Sequence, residues 1–281
     1  MRILITGAGG MLGLDLRAAA EAAGHDVEAL TRARLDITDA EAAHAAIAAA
    51  SPDVVVNCAA WTDVDGAEAS FDAALAANGP GAGNVAAASA AAGAWTLHVS
   101  SDYVFDGAKA TPYVESDPPA PLSAYGRSKL AGERAVAAAA GGRWTIVRSS
   151  WLFGAGGRCF PKTILRLATE RDRLTVVDDQ AGCPTFTGHL ATALVSLAGD
   201  PVAGVLHVAA AGECSWFQFA SAIVAAAGIE CEVAPVSSDQ YPAVAPRPRY
   251  SVLRSERGAP ELPPWPEGLR QFLSELSEVS A

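Results

Sequence analysis

The chain has 281 residues, enough to bury a sizeable core in one large domain or in one domain with a smaller lobe. Hydrophobic residues make up 51% and charged residues 18%, which excludes a disordered chain. A formal charge of −11 argues against holding a nucleic acid by general electrostatics, but a small phosphorylated ligand needs only a local site.

The elements read in chain order as follows. Arg2–Thr6 is a short apolar run that leads straight into glycines, a buried strand feeding a turn. Met11–Ala23 is a helix stopped by Gly24, and Asp26–Leu30 a second strand. Asp39–Ala50 is a helix with Thr38 as its expected N-cap. Asp53–Asn57 is a third strand, Pro80–Ala92 a helix, and Trp95–Ser101 a fourth strand. Ser123–Ala140 is a helix closed by Gly141 and Gly142, and Trp144–Ser150 a fifth strand. This alternation predicts an α/β fold, a Rossmann-type doubly wound parallel sheet covered on both faces.

After Trp151 the pattern changes. Helices are expected at Phe160–Glu170, Gly188–Leu197, Ser215–Ala226 and Leu269–Leu276, with strands at Leu174–Asp179 and Gly204–Ala209. The proline-rich segment Pro235–Pro266 reads as irregular. The expected organisation is a dinucleotide-binding domain over 1–155 and a smaller C-terminal α/β lobe over 156–281, interleaved across a soft boundary. No run reaches the roughly 18 apolar residues of a membrane span. The N-terminus lacks a secretory pattern, and Cys58, Cys159, Cys183, Cys214 and Cys231 form no CxxC, so reduced thiols in a cytoplasmic protein are expected.

"GAGGMLG", Gly7 to Gly13, has glycines at 7, 10 and 13 between a strand and a helix. A pyrophosphate must approach the backbone closely there and sit on the free N–H groups of a helix start. Gly7, Gly10, Met11, Leu12 and Gly13 are therefore candidate cofactor-binding residues; the alternative is a tight turn with no ligand. The second strand ends in "ALTRARLD", with no acidic residue to accept from a ribose 2′-OH. Arg32 or Arg34 could instead pair with a 2′-phosphate, which favours NADPH over NADH; the alternative is a solvated loop. Asp36 and Ile37 would suit the adenine pocket. In "NCAAWTDVD", small Ala59 and Ala60, with Thr62 after them, leave room for a cofactor across the strand end.

The fourth strand ends in "HVSSDYVFDG", which puts Ser101 and Asp102 at the carboxyl edge of the sheet. Tyr125 and Lys129, four apart, share one face of the next long helix. A free phenol has a pKa near 10, so a nearby cation is needed to make it an acid–base at neutral pH. Lys129 supplies that charge and donors for ribose hydroxyls, and Ser101 can hold the substrate oxygen. Asn78 is expected to open a helix and anchor a turn.

These motifs resemble the extended short-chain dehydrogenase/reductase superfamily and, within it, the dTDP-4-dehydrorhamnose reductase family. The likeness runs through GAGGMLG, LDITD, NCAAWTDVDGAE, HVSSDYVFDG, YVESDPPAPLSAYGRSKLAGE, RSSWLFG, DDQAGCPT and RPRYS. It implies that NADPH or NADH gives hydride to the C4 ketone of dTDP-4-dehydro-β-L-rhamnose. Ser101, Tyr125 and Lys129 would be the catalytic residues, with Tyr125 the proton donor. Asp102, Trp151 and Arg247 would join Ser101 in contacting the substrate, in the C-terminal lobe and at the sheet edge. Tyr103 follows Asp102 where related dehydratases carry a second acid, which argues against elimination. Some family members bridge subunits through a metal. Asp15 matches one ligand, but Gly188 and His189 stand where a Glu would be expected, so no metal and a monomer or weak homodimer are implied. Tyr250 stands where Asn is common. The alternatives are a ketoreductase for another dTDP-deoxysugar, an epimerase with tightly bound NAD, and a non-catalytic dinucleotide-binding regulatory subunit.

Overall fold

The computed structural model of the chain describes residues 1–241 and 243–279. Six parallel strands form the central sheet: β1 (Arg2–Thr6), β2 (Asp26–Leu30), β3 (Val54–Asn57), β4 (Trp95–Ser101), β5 (Trp144–Ser149) and the later strand Gly204–His207. From one edge the order is Gly204–His207, β5, β4, β3, β1, β2. The chain leaves β1 toward β2 on one side and returns to β3 on the other. The ligand crevice of such a sheet therefore opens at the carboxyl ends of β1 and β3.

Side-chain alternation along β1 builds both cores. Ile3 and Ile5 face one side and pack with Leu12 and Leu16 of α1 (Met11–Ala22). Leu4 faces the other side and packs with Ile47 of α2 (Ala40–Ala50). Two short helices, α3 (Gly66–Ala69) and α4 (Phe71–Asn78), precede α5 (Pro80–Ala91). The long helix α6 (Ala124–Ala139) lies beside α5.

The second half has its own aromatic core. Phe153, Phe186, Phe219 and Phe272 meet among α7 (Phe160–Glu170), α9 (Trp216–Ala227) and α10 (Trp265–Val279). Arg173–Val177 pairs in parallel with Glu232–Val236. That half also completes the first. Leu190, Leu194 and Leu197 of α8 (Thr187–Gly199) join the Ile3 core, as do Leu206 and Leu262.

Four sequence expectations need correction. Asp39, not Thr38, caps α2, accepting from the Ala42 amide at 2.9 Å. Thr38 is drawn away because its amide and hydroxyl both donate to Asp36. Helices α3 and α4 went unanticipated because "GAEASFDAALAAN" is too alanine-rich to show an apolar stripe. Asn78 closes α4 rather than opening a helix. The Pro235–Pro266 segment is less irregular than expected: it holds a 3₁₀ turn at Ser238–Gln240 and a strand at Leu262–Pro264, and α10 already starts at Trp265.

Beneath α6 lies an almost solvent-free ion pair. Arg148 of β5 donates to Glu133 through Nε at 2.8 Å and Nη2 at 2.6 Å, with side chains 4% and 5% exposed. Ser100 of β4 donates to the same carboxylate at 2.6 Å. Removing one partner of such a pair strands the other charge, so Glu133→Ala should cost about 3–5 kcal/mol in urea unfolding. The double substitution Glu133→Leu with Arg148→Met should recover a large part of that loss, because it buries no unpaired charge.

Candidate active site

The site starts at the glycine turn. Gly7 has φ +67°, and a Cβ there would lie 2.5 Å from the Ala59 amide nitrogen. A Cβ on Gly13 would lie 2.4 Å from the Gly7 carbonyl. Those two glycines let β1, β3 and α1 close on each other. Gly10 differs: it is the N-cap of α1, without a side-chain cap, and its first turn carries no acidic residue. The N–H groups of Met11 and Leu12 thus lie at a helix start that no side chain neutralises, which suits a pyrophosphate.

At the end of β2 the two arginines part ways. Arg34 turns back to Glu28 at 2.7 Å, whereas the Arg32 side chain is 89% exposed with Asp36 at 3.9 Å. The amide and hydroxyl of Thr38 hold the Asp36 carboxyl below its ordinary pKa. Ile37 is buried in the core, tight against Gly81. At the end of β3, Asn57 accepts from Thr6 at 2.6 Å and from the Ala59 amide at 3.1 Å. Ala59 is half-buried under Gly7, while Ala60 and Thr62 are exposed.

The next wall is β4 with α6. Ser123 caps α6 by accepting from the Gly126 amide at 3.1 Å. A Cβ on Gly126 would lie 2.2 Å from the Tyr103 carbonyl, so only glycine lets the helix start close against the strand end. Tyr125 and Lys129 follow on one face. Lys129 is 2% exposed, and its Nζ donates to the Val99 carbonyl at 2.8 Å. The Tyr125 phenol lies near the Ser101 hydroxyl, which acts to lower its pKa. Ser101 Oγ donates to Asp102 Oδ1 at 3.0 Å and accepts from the Tyr103 amide at 3.2 Å.

Burial governs the protonation of these groups. It pushes Tyr125 up to about 12, and the Asp102 carboxylate adds to that. It draws Lys129 down to about 8, with Glu133 opposing. It raises Asp102 to about 6 although Ser251 and Ser101 both donate to it. The expected lowering of the Tyr125 pKa by Lys129 is therefore corrected. The amine is committed to Val99, and loss of solvent dominates at the phenol.

A strap over residues 245–254 closes the site. Ser251 Oγ donates to Asp102 Oδ2 at 2.6 Å, and the Ser251 amide donates to the Ala181 carbonyl at 2.8 Å. Arg247 grips Asp65 with both terminal nitrogens at 3.0 and 2.9 Å and also reaches the Tyr103 phenol. The Tyr103 ring in turn stands edge-on to Tyr125, 5.6 Å between centroids. Trp151 takes φ +49° and stacks on Trp216. Ser251, Asp65 and Trp216 were not singled out from the sequence; only the spatial pairing reveals them. Asn78 does anchor a turn: it accepts from the Trp61 amide at 2.8 Å and donates to its carbonyl at 3.1 Å. Asp15 is raised above its ordinary pKa by burial beside Thr187. Among the described residues no group of three or more His, Cys, Asp or Glu is placed to hold a metal.

A hydroxyl, a phenol and an amine converging at strand ends beside a glycine turn place the chain among the extended short-chain dehydrogenase/reductases. The model for the RmlD substrate binding domain matches residues 1–278. The dTDP-4-dehydrorhamnose reductase of Mycolicibacterium smegmatis is 46% identical over 97% of this chain and 85% of its own. The spore coat polysaccharide biosynthesis protein SpsK of Bacillus subtilis is 42% identical over 99% of both chains. The crystal structure of the Bacillus anthracis dTDP-4-dehydrorhamnose reductase in complex with NADP is 39% identical, with a TM-score of 0.94 over 98% of this chain and 99% of that one. The chain belongs to the RmlD family of dTDP-4-dehydrorhamnose reductases.

Asp102 gives a pH signature. Its folded value of about 6 lies above the unfolded value near 3.9, so between those limits the folded state binds more protons. Stability should fall as pH rises from about 4 to about 6, by on the order of 2–3 kcal/mol from this group. Urea titrations of wild type and Asp102→Asn across that range should show the extra fall in wild type alone.

Proposed function

We propose that this chain reduces the C4 ketone of dTDP-4-dehydro-β-L-rhamnose to give dTDP-β-L-rhamnose, with NADPH as reductant. The observation that carries this reading is the placement of Tyr125 and Lys129 one turn apart on α6 against the end of β4, where Lys129 Nζ donates to the Val99 carbonyl at 2.8 Å, two residues before Ser101. NADPH, when bound, supplies the hydride. The pyrophosphate would lie on the Gly10, Met11 and Leu12 backbone, with Gly7 and Gly13 keeping that cradle open, and Ala59, Ala60 and Thr62 along its length. Arg32 would meet the 2′-phosphate, with Asp36 and Ile37 shaping the adenine end. NADH would lack the Arg32 contact and serve less well.

The residues of the chain then handle the proton. A phenol near 12 keeps its proton at neutral pH, as the acid in a ketone reduction must. Tyr125 gives that proton to the C4 oxygen. Ser101 turns its O–H from Asp102 toward the same oxygen, while the Tyr103 amide and Ser251 hold their ends of the network in place. Lys129, near 8, is poised to return a proton to Tyr125 and to hold ribose hydroxyls. Asp102 and Trp151 would flank the sugar, and Arg247 would exchange part of its Asp65 contact for the diphosphate. Residues 1–155 would thus hold the cofactor and present Ser101, Asp102 and Trp151 to the substrate, and residues 156–281 would add Arg247 from the other side. A monomer or weak homodimer without a bridging metal fits Asp15, whose carboxyl burial favours the neutral form.

A second reading keeps the reaction and changes the sugar to another dTDP-linked 4-keto sugar. It is favoured by Tyr250, which bonds Glu213 at 2.7 Å beside Gly182 and Cys214 and differs from the common family residue. A non-catalytic role would leave the Ser101, Tyr125 and Lys129 set without a use.

Purified protein given NADPH and enzymatically made dTDP-4-dehydrorhamnose should oxidise the nicotinamide. Tyr125→Phe should lower kcat by about 10²–10⁴-fold. Oxidation no faster than in that variant would sink the reading. Arg32→Ala should cut the preference for NADPH over NADH by about tenfold or more, the worth of one charge-assisted hydrogen bond. An unchanged preference would leave Arg32 a surface residue.

A further inference from the structure

The indoles of Trp151 and Trp216 lie face to face, 3.4 Å between ring centroids and 3° from parallel. Aromatic pairs left to themselves prefer offset or edge-on contacts, so the surrounding chain imposes this overlay. Trp151 carries part of that cost in its backbone. Its φ of +49° is a left-handed conformation that a bulky residue holds only when its surroundings over-determine it.

Those surroundings are specific. The Thr185 amide donates to the Trp151 carbonyl at 3.2 Å, and Ser150 Oγ donates to the Cys183 carbonyl at 2.7 Å. Gly182 lies so close that a Cβ would sit 2.4 Å from Trp151 Cε2. Trp216 is the first residue of α9 and is fixed as firmly. A capping box joins Ser215 and Gln218, and Ser215 Oγ also donates to Asp178. Cys214 pairs with Gly182, so the strand that holds one indole also positions the other. Phe160 backs Trp216 at 4.6 Å. Both indoles are half-buried, unlike the fully buried phenylalanines below them. The pair stands just past β5, whose Ser149 is in register with Ser101 of β4.

We infer that Trp216 is a positioning residue that holds the Trp151 indole as a rigid wall of the sugar-nucleotide site. The ligand class that fits is a nucleoside diphosphate linked to a deoxysugar, whose apolar ring face or pyrimidine can lie against a flat indole. This rests on the proposed reduction for the identity of the substrate, and its own test includes an arm that needs no turnover. Trp216 acts through Trp151 and sets affinity for the sugar nucleotide, leaving the cofactor site untouched.

Circular dichroism, dTDP titration and steady-state kinetics test this together. Two indoles stacked this closely couple to each other, so Trp216→Phe and Trp216→Leu should each change the tryptophan circular dichroism without loss of the cooperative thermal transition. Trp216→Leu should raise the Kd for dTDP or the KM for the dTDP-sugar about tenfold. Trp216→Phe, which can still stack, should raise it only about two- to threefold. The KM for NADPH and kcat at saturating sugar should stay within twofold. If Trp216→Leu does not fold, Trp216→Phe alone decides: unchanged affinity with the tryptophan circular dichroism altered overturns the inference. Unchanged affinity in a folded Trp216→Leu overturns it equally. Absence of turnover in wild type would count against the reduction, whereas the dTDP arm would still read Trp216.

Discussion

The Glu133–Arg148 pair is the constraint on which the site depends. It sits where α6, β4 and β5 meet, and its carboxylate also receives Ser100. Glu133 is one helical turn beyond Lys129, which is one turn beyond Tyr125. The rotation of α6 about its axis therefore decides where the phenol and amine point. A buried ion pair is a costly way to gain stability, but it fixes geometry sharply, because any slip leaves a charge unpaired. Arg148 extends the same constraint to His207 on the neighbouring edge strand, and His207 and Glu115 tie in the strap near Arg254 and Ser255.

The electrostatics of the site follow from dryness more than from charge pairing. Tyr125, Lys129 and Asp102 are all shifted toward their neutral forms, and in each the first cause is burial. A neutral acid beside a neutralisable base suits proton transfer to an oxygen that becomes basic only during the reaction. The strap contributes here too, since Ser251 satisfies the Asp102 oxygen that Ser101 does not.

Much of this was legible in the sequence where a local rule sufficed. The five strands of the first half, the glycine turn, and the order Ser101, Tyr125, Lys129 follow from periodicity and spacing. The long-range partners were not legible. Nothing in "WTDVDGAE" announces that Asp65 holds Arg247 from 182 positions away, nor that Ser251 completes Asp102. Thr38 failed as a cap because a competing Asp36 turn, only two residues back, took its donors. The lowering of the phenol pKa by Lys129 failed for a similar reason. Spacing shows which groups share a face, but not how much water they lose.

The path of the chain has a consequence during synthesis. The sheet that carries the glycine turn is one strand short until Gly204–His207 is made, and α1 lacks its cover until α8 exists. Leu262 enters that same core later still. A nascent chain that has emerged only through β5 therefore exposes one apolar face of its sheet. The cofactor-binding half therefore completes its core only with segments made later, Gly204–His207, α8 and Leu262, which couples its folding to that of the rest of the chain.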